Sequence, residues 1–275
     1  MEQFGRSWDL LKACFAVLRD DKELLLFPVL SGLASLAVLA VFALPLAAGR
    51  LFEHGFAPFN LAVLFAFYLS QAMVIHYFSA ALVGAAQIRL DGGNPTLADG
   101  LRLANAHALP ILGFAAISAT VGLLLRQGKH RKRGVERAIA SAAGMAWNVA
   151  TLLVIPVLLS RKIGPIDAIV ESGKLLKRTW GENLIGTVGI WAGYKAAFTG
   201  LLLASAAGVF FAFRVSPLLA VSVAALCAAA LLLLVILKSA LSAVFTAVLY
   251  RYAVSGETAA GFEPAQLGNL LQNPA

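Results

Sequence analysis

The chain reads as an all-α polytopic membrane bundle of about six transmembrane helices with three amphipathic interfacial helices, and three observations carry that reading. Hydrophobic residues make up 60% of the sequence and charged ones 13%, with a mean hydropathy of +0.83, outside the range of an ordinary soluble domain. Apolar runs recur along the chain at close to the roughly 20 helical residues that a bilayer core requires. An amphipathic, charge-flecked segment leading into a long apolar hairpin also occurs three times: SWDLLKACFAVLRDDKELLLFPVL from Ser7, PTLADGLRLANAHALPILGFAA from Pro95 and GPIDAIVESGKLLKRTWGENLIG from Gly164.

The runs place spans at residues 24–48, 58–85, 110–125, 138–159, 183–213 and 217–250. They leave little chain for a soluble domain, so 1–275 is read as one integral membrane domain. Its units are 1–88, 95–159 and 164–251, followed by a cytoplasmic tail at 252–275, a layout consistent with a threefold helix-plus-hairpin repeat. The third span is short: it either borrows a first turn from the helix before Pro110 or is re-entrant. The last two exceed a simple crossing and must tilt, kink or run into the interface. Residues 1–23 are too long and too mixed in charge for a signal-peptide n-region, so the first span is expected to stay uncleaved.

Each connecting helix carries an apolar stripe at three- and four-residue spacing. In the first, Trp8, Leu11, Phe15 and Leu18 oppose Asp9, Lys12, Arg19 and Asp20. In the second, Thr96 caps the helix and Asp99 completes a capping box, with Leu97, Leu101 and Ala104 opposite Asp99 and Arg102. In the third, Ile166, Ile169, Val170, Gly173 and Leu176 oppose Asp167, Glu171, Lys174 and Arg178. Helices of this kind lie in the headgroup plane.

The net charge is +8, but the aromatic residues sit in the apolar runs rather than among the basic ones, so the layout does not suit nucleic acid. Six crossings put twelve Lys/Arg on the side that holds both termini and eight on the other, which makes the first side cytoplasmic by the positive-inside rule. Six of those eight, Arg126, Lys129, Arg131, Lys132, Arg133 and Arg137, share one loop. That loop is either a solvated hairpin turn or a patch for anionic headgroups.

Polar residues inside the spans are the candidates for function. Tyr68, Gln71, His76 and Ser79 fall on an arc of roughly 140° of one helix at about 100° per residue. Such a stripe either bonds between helices or lines a solute path. Lys195 lies 19 residues before Arg214 and Lys238 24 after it, which gives the two similar depth in an antiparallel hairpin. They read as snorkelling side chains or as a cation pair for an anionic solute or headgroup. Gly189 and Gly193 form a GxxxG element suited to close helix packing, within the chain or in a homo-oligomer.

Enzymatic signatures are missing from the sequence: no nucleophile triad, zinc motif, phosphate loop or dinucleotide fingerprint can be placed. Cys14 and Cys227 suggest neither redox nor metal work, and Asp20-Asp21-Lys22-Glu23 reads as a charged break before the first span rather than a metal site. No catalytic residue, metal or cofactor is expected.

The segments FGRSWDLLKACFAVLRDDKELLLFPVLSGLA, GPIDAIVESGKLLKRTWGENLIG and VLYRYAVSGETAAGFEPAQL resemble a bacterial family of multi-pass membrane proteins carrying a domain of unknown function. The likeness runs over nearly the whole chain. It implies an inner-membrane protein of about six helices, with no activity and no site residues to carry over. SGKLLKRTWGENLIG is also similar to segments in the membrane domains attached to some glycerophosphodiester phosphodiesterases, whose catalytic barrel has no counterpart here. Two functions are expected from these observations. The first is a pore or transporter-like module for a small anionic solute or lipid; the second is a membrane-organising protein that holds anionic lipid without transport or catalysis.

Overall fold

The computed structural model describes residues 12–47, 58–131, 135–180 and 188–256, with side chains at 12–43, 62–125, 141–179 and 198–256. Among these residues the protein is all helical, with no strand. Helix α1 (12–20) leads through Asp21 into a 3-10 turn at Lys22–Leu25 and then α2 (Leu26–Ala47). Next come α3 (Pro58–Leu90), α4 (Leu97–Ala106), α5 (Ala108–Arg131), α6 (Val135–Ala150) and α7 (Val154–Ser160). The chain closes with α8 (Pro165–Trp180), α9 (Val188–Val215) and α10 (Pro217–Ser255). Among the described residues six segments are long and apolar enough to cross a membrane, and each overlaps one of the six expected from the sequence. The protein is a multi-pass membrane protein.

Burial is concentrated at one end of the bundle. The fully enclosed side chains include Phe27 of α2, Leu82 of α3, Ile111 of α5, Leu158 of α7, Leu176 of α8 and Val244 of α10. All lie toward the end where α1, α4 and α8 pack. Toward the other end large apolar residues stay open, among them Leu36 at 62% exposure, Leu124 at 63%, Phe211 at 68% and Leu226 at 72%. The physics explains the split. Between helices in lipid there is no hydrophobic driving force, because the tails are as apolar as leucine. Where water reaches the helix ends, enclosing a Leu or Phe side chain stabilises by about 1.5–3 kcal/mol.

α3 is the pillar of this end and touches α2, α4, α5, α7 and α10. At 33 residues it is about 50 Å long, more than the hydrocarbon requires. Its last turns, Ala80–Ala86, are entirely buried. It ends where Gly92 takes a left-handed φ of 85°. There the Gly93 amide donates to the Ile88 carbonyl at 2.9 Å and the Gly92 amide to Arg89 at 3.0 Å, the paired bonds of a Schellman cap. α4 then folds back onto the same helix. Its Thr96–Asp99 capping box forms as expected, with the Asp99 amide donating to Thr96 Oγ1 and the Thr96 amide to Asp99 Oδ2. The Leu97 amide, left over at the first turn, donates to Glu23 Oε2 at 2.9 Å. This bond ties α4 to the turn before α2, with an acidic group at a helix N-terminus.

The boundaries differ from expectation in two ways. α3, α5 and α10 each run past their apolar stretch, to Leu90, Arg131 and Ser255, because nothing after the apolar residues stops the helix. This makes the third span a 24-residue helix that takes up Ala108 and Leu109 before Pro110, so it need not be re-entrant. The fourth span is two helices, not one. Pro156 has no amide to offer the Leu152 carbonyl and its ring crowds that turn, so the ladder breaks at Thr151–Leu153. The freed Leu153 amide donates to Ser172 Oγ of α8 at 3.1 Å, and Ser172 is fully buried. Thr151 Oγ1 closes the other side of the break by donating to the Trp147 carbonyl at 2.8 Å.

The apolar faces of the interfacial helices also need correcting. In α1, Leu18 is buried as expected, but its partner on the inner face is Cys14, while Phe15 points outward; Trp8, Leu11 and Asp9 lie outside the described residues. In α8 the inner face is Ala168, Ser172, Leu175 and Leu176, and the expected Ile166 and Val170 are exposed at 68% and 50%. The sequence stripe merged two surfaces, one packed against protein and one exposed and apolar.

Gly100 of α4 is the tightest crossing. A Cβ there would lie 2.5 Å from Phe27 Cζ and 2.6 Å from the Ala81 carbonyl oxygen. Gly100→Ala should therefore lower the thermal unfolding midpoint in detergent, with an overpacking cost of about 1–3 kcal/mol. Gly122→Ala, with nothing within 4 Å, should leave the midpoint unchanged or raise it slightly. Ser172→Ala removes the acceptor for Leu153 and should destabilise by about 1–3 kcal/mol, read by the same melt; an unchanged midpoint would mean that water replaces the hydroxyl.

Candidate functional site

The polar positions of α3 face different neighbours. Gln71 Nε2 donates to the Ser35 carbonyl of α2 at 3.0 Å. The His76 ring lies against Phe114 of α5, centroids 4.5 Å apart. Tyr77 donates its hydroxyl to Asn105 Oδ1 of α4 at 2.7 Å. Tyr68 meets Phe67 edge-on, Phe67 packs on Phe42 of α2, and Ser79 is half-buried. Within the stripe Gln71 and His76 thus reach different helices, α2 and α5, and Tyr77 beside it ties α3 to α4.

Lys238 is half-buried on α10. Lys195 lies on α9, but its side chain is outside the described residues, as are those of Arg126, Lys129 and Arg131 on α5 and Arg137 on α6; Lys132 and Arg133 lie outside them altogether. Gly189 and Gly193 fall on α9, and their surroundings are likewise outside. Further along that helix, a Cβ added at Gly200 would meet nothing within 4 Å, and one added at Gly208 would lie 3.7 Å from Val223 Cγ1 of α10.

A cleft of about 360 Å³ opens instead at the buried end, between the C-termini of α3, α7 and α10. Leu90, Ala247 and Val254 form its apolar wall, and Gln87, Asp91, Ser160, Tyr250, Arg251 and Ser255 its polar one. Arg251 is held firmly: its Nη1 donates to the Leu90 carbonyl at 2.9 Å and to Asp91 Oδ1 at 2.5 Å. These bonds leave Nη2 and Nε without acceptors among the described residues. Asp91 remains 70% exposed and the Arg251 side chain 29%. Arg89 in the last turn of α3, Asp91 just past its end and Arg251 near the end of α10 follow the apolar stretches of the two helices.

The surrounding charges latch the helices together. Arg178 Nη2 of α8 donates to the Ala253 carbonyl of α10 at 2.9 Å, and Arg161 pairs with Glu171 at 2.7 Å across the turn between α7 and α8. Arg89 approaches Asp20 at 3.9 Å, and Arg102 pairs with Asp99. The Thr96 hydroxyl and amide, with the Arg102 charge, hold the Asp99 carboxyl below its usual range. From the sequence, Asp91 and Arg251 were flank charges and no more. The signal available was weak: each is the charge that closes a long apolar helix, and Asp91 precedes the Gly-Gly turn.

Two buried groups at this end are chemically quiet or costly. Burial pushes the Cys14 thiol up to about 12, so it stays protonated and unreactive. The Asp21 carboxyl is pushed up by desolvation, against smaller lowering effects from the Glu23 amide and the Arg89 charge, and its Oδ2 is enclosed without a hydrogen-bond partner. For an acid raised on folding, the stability it contributes is present below its unfolded range, near 3.8, and is lost as pH rises through the folded value. Asp21→Asn should therefore melt higher than the parent at pH 7, and the gap should close as pH falls toward 4. A gap independent of pH would show that the carboxyl does not titrate on folding.

Among the described residues, no group of three or more His, Cys, Asp or Glu side chains could hold a metal. Neither a curated protein nor a solved structure matches the chain. Residues 59–262, from the start of α3 through the cleft and α10, match the family of unknown function DUF6159. That match spans well over half of the sequence, and the chain belongs to this family.

Proposed function

We propose that the protein is a non-catalytic membrane-organising protein that holds anionic lipid at its buried end, in a bacterial inner membrane with both termini cytoplasmic. The observation that carries this is the three-sided surface of α8. Ala168, Ser172, Leu175 and Leu176 face the bundle, Ile166 and Val170 are exposed and apolar, and Asp167, Lys174 and Arg178 are exposed and polar. At about 100° per residue these sets occupy three separate arcs. Such a helix suits the plane where protein, acyl chains and water meet. Lys177 rises on the lipid-side arc in the last turn and is exposed, within reach of headgroup phosphates. The side with more lysine and arginine is the cytoplasmic one under the positive-inside rule, and anionic lipid is what that charge attracts.

The closed packing at the base supports this reading over a pore. Phe27, Leu82, Ile111, Leu158 and Val244 are each at or below 2% exposure, so side chains from α2, α3, α5, α7 and α10 close the packing there. The cleft at the ends of α3, α7 and α10 and a shallow depression on α5 at Ala116–Val121 are both lined by residues other than Tyr68, Gln71, His76, Ser79 and Lys238.

Full-length protein in nanodiscs of equal phosphatidylglycerol and phosphatidylcholine tests the reading, with retained lipid counted by native mass spectrometry. The parent should retain phosphatidylglycerol preferentially. Lys174→Gln/Lys177→Gln should cut that preference by about fivefold per lysine, from roughly 1 kcal/mol each near an anionic surface, and salt should weaken it. Equal retention of the two lipids by the parent would overturn the proposal. So would a solute flux through reconstituted vesicles that Lys238→Met abolishes.

A further inference from the structure

The cleft at the ends of α3, α7 and α10 joins an ion pair, Arg251 with Asp91, to an apolar wall within one concave space. We infer that it is a binding site for a zwitterionic phospho-amine headgroup, of the phosphatidylethanolamine class. The inference rests on the reading of this end of the protein as a lipid-holding surface, and goes beyond it in naming one stoichiometric site with its own selectivity.

Arg251 supplies the phosphate subsite. Its Nη1 is spent on the Leu90 carbonyl and Asp91 Oδ1, which fixes the plane of the guanidinium. The opposite edge, Nη2 with Nε, is the fork that pairs bidentately with phosphate oxygens, and it carries no acceptor among the described residues. Gln87 and Ser160, also in the cleft wall, add neutral donors to the same space.

Asp91 supplies the ammonium subsite. Only its Oδ1 is engaged by Arg251, and Oδ2 is left without a donor among the described residues on a side chain 70% exposed. The short ethanolamine linker sets an ammonium beside its own phosphate, matching a carboxylate beside an arginine. A headgroup with only negative charge would gain from Arg251 but meet the uncompensated oxygen of Asp91. A trimethylated amine has no N–H to donate to it. The apolar wall of Leu90, Ala247 and Val254 gives the glycerol and first methylenes a dry surface on the side from which the acyl chains leave.

The cleft's volume, about 360 Å³, falls at the lower end of small-ligand sites, which suits a headgroup and not a whole lipid. Its position also separates it from α8: Lys174 and Lys177 do not line it. The two lipid contacts can therefore be removed independently.

The test uses full-length protein in detergent at high salt, where contacts between exposed charges are screened to a few ångströms. Short-chain phosphatidylethanolamine, phosphatidylcholine and phosphatidylglycerol are titrated separately and read by native mass spectrometry, with phosphoethanolamine and inorganic phosphate as soluble controls. One equivalent of phosphatidylethanolamine should bind, about tenfold tighter than either other lipid, as expected for one charged hydrogen bond. Asp91→Asn should remove the advantage over phosphatidylglycerol and phosphatidylcholine while leaving phosphate-driven binding. Arg251→Lys should weaken all three lipids by losing the fork. Lys174→Gln/Lys177→Gln should change none of these affinities.

Because Arg251 also joins α10 to α3, each variant is first melted, and Asp91→Asn, which keeps the Leu90 bond, carries the decision if Arg251→Lys unfolds. Equal affinity for the three lipids, or an Asp91→Asn protein that still prefers phosphatidylethanolamine, would overturn the site. Tighter binding of inorganic phosphate than of any lipid would replace it with a soluble-anion site. Loss of selectivity here with the nanodisc preference intact would refute the cleft alone, and the converse would refute only the α8 surface.

Discussion

Small residues on α3 let four other helices come close enough to share one core, and the rest of the structure follows from that approach. Ala80, Ala81, Gly84, Ala85 and Ala86 present almost no side-chain bulk around the buried Leu82 and Val83, so α4 can lay Gly100 against the Ala81 carbonyl and the Phe27 ring. α7 reaches the same face, where Leu159 lies near Gly84, and the last turns of α10 pack there as well. In lipid such contacts depend on dispersion and geometry alone. At the water-facing end the hydrophobic effect is added to them, which is why the core has formed at that end and the apolar surfaces elsewhere are left to the acyl chains.

A core at one end converts the amphipathic helices from surface ornaments into structural parts. α8 donates Ser172 to a break in the neighbouring span and Arg178 to the end of α10, while Glu171 holds Arg161. α4 takes a carboxylate from the turn before α2. Each of these bonds answers a backbone group or charge that would otherwise be left unsatisfied where a helix stops. They also determine where charge is displayed: the ends of α3 and α10, kept together by Arg251, carry the cleft, and the outer arc of α8 carries the lysines.

Much of this was legible in the sequence because it is local. Six apolar runs gave six spans, and the Thr96–Asp99 box could be placed from a three-residue spacing. The capping residues act within one turn, so no knowledge of neighbours is required. Legibility failed where an apolar side chain had two solvents to choose between. Ile166 and Val170 look like core residues on a helical wheel, and only the packing of α8 shows that Ala168 and Ser172 are its inner face. It failed again at Thr151–Leu153, since proline kinks some membrane helices and interrupts others, and the outcome here is tied to a hydroxyl 19 residues further on.

The sequence alone determined the fold class, the six long apolar segments and the capped second interfacial helix, all of which depend on residues close together in the chain. Tertiary structure decided which end holds the core, which face of each interfacial helix meets protein and which lipid, and where the polar residues of α3 find partners. It also brought Asp91 and Arg251, 160 residues apart, to one guanidinium–carboxylate contact. Hydropathy records the preference of a side chain for water or for an apolar medium, but a buried alanine and a lipid-facing leucine satisfy it equally well. Only the arrangement of helices tells them apart.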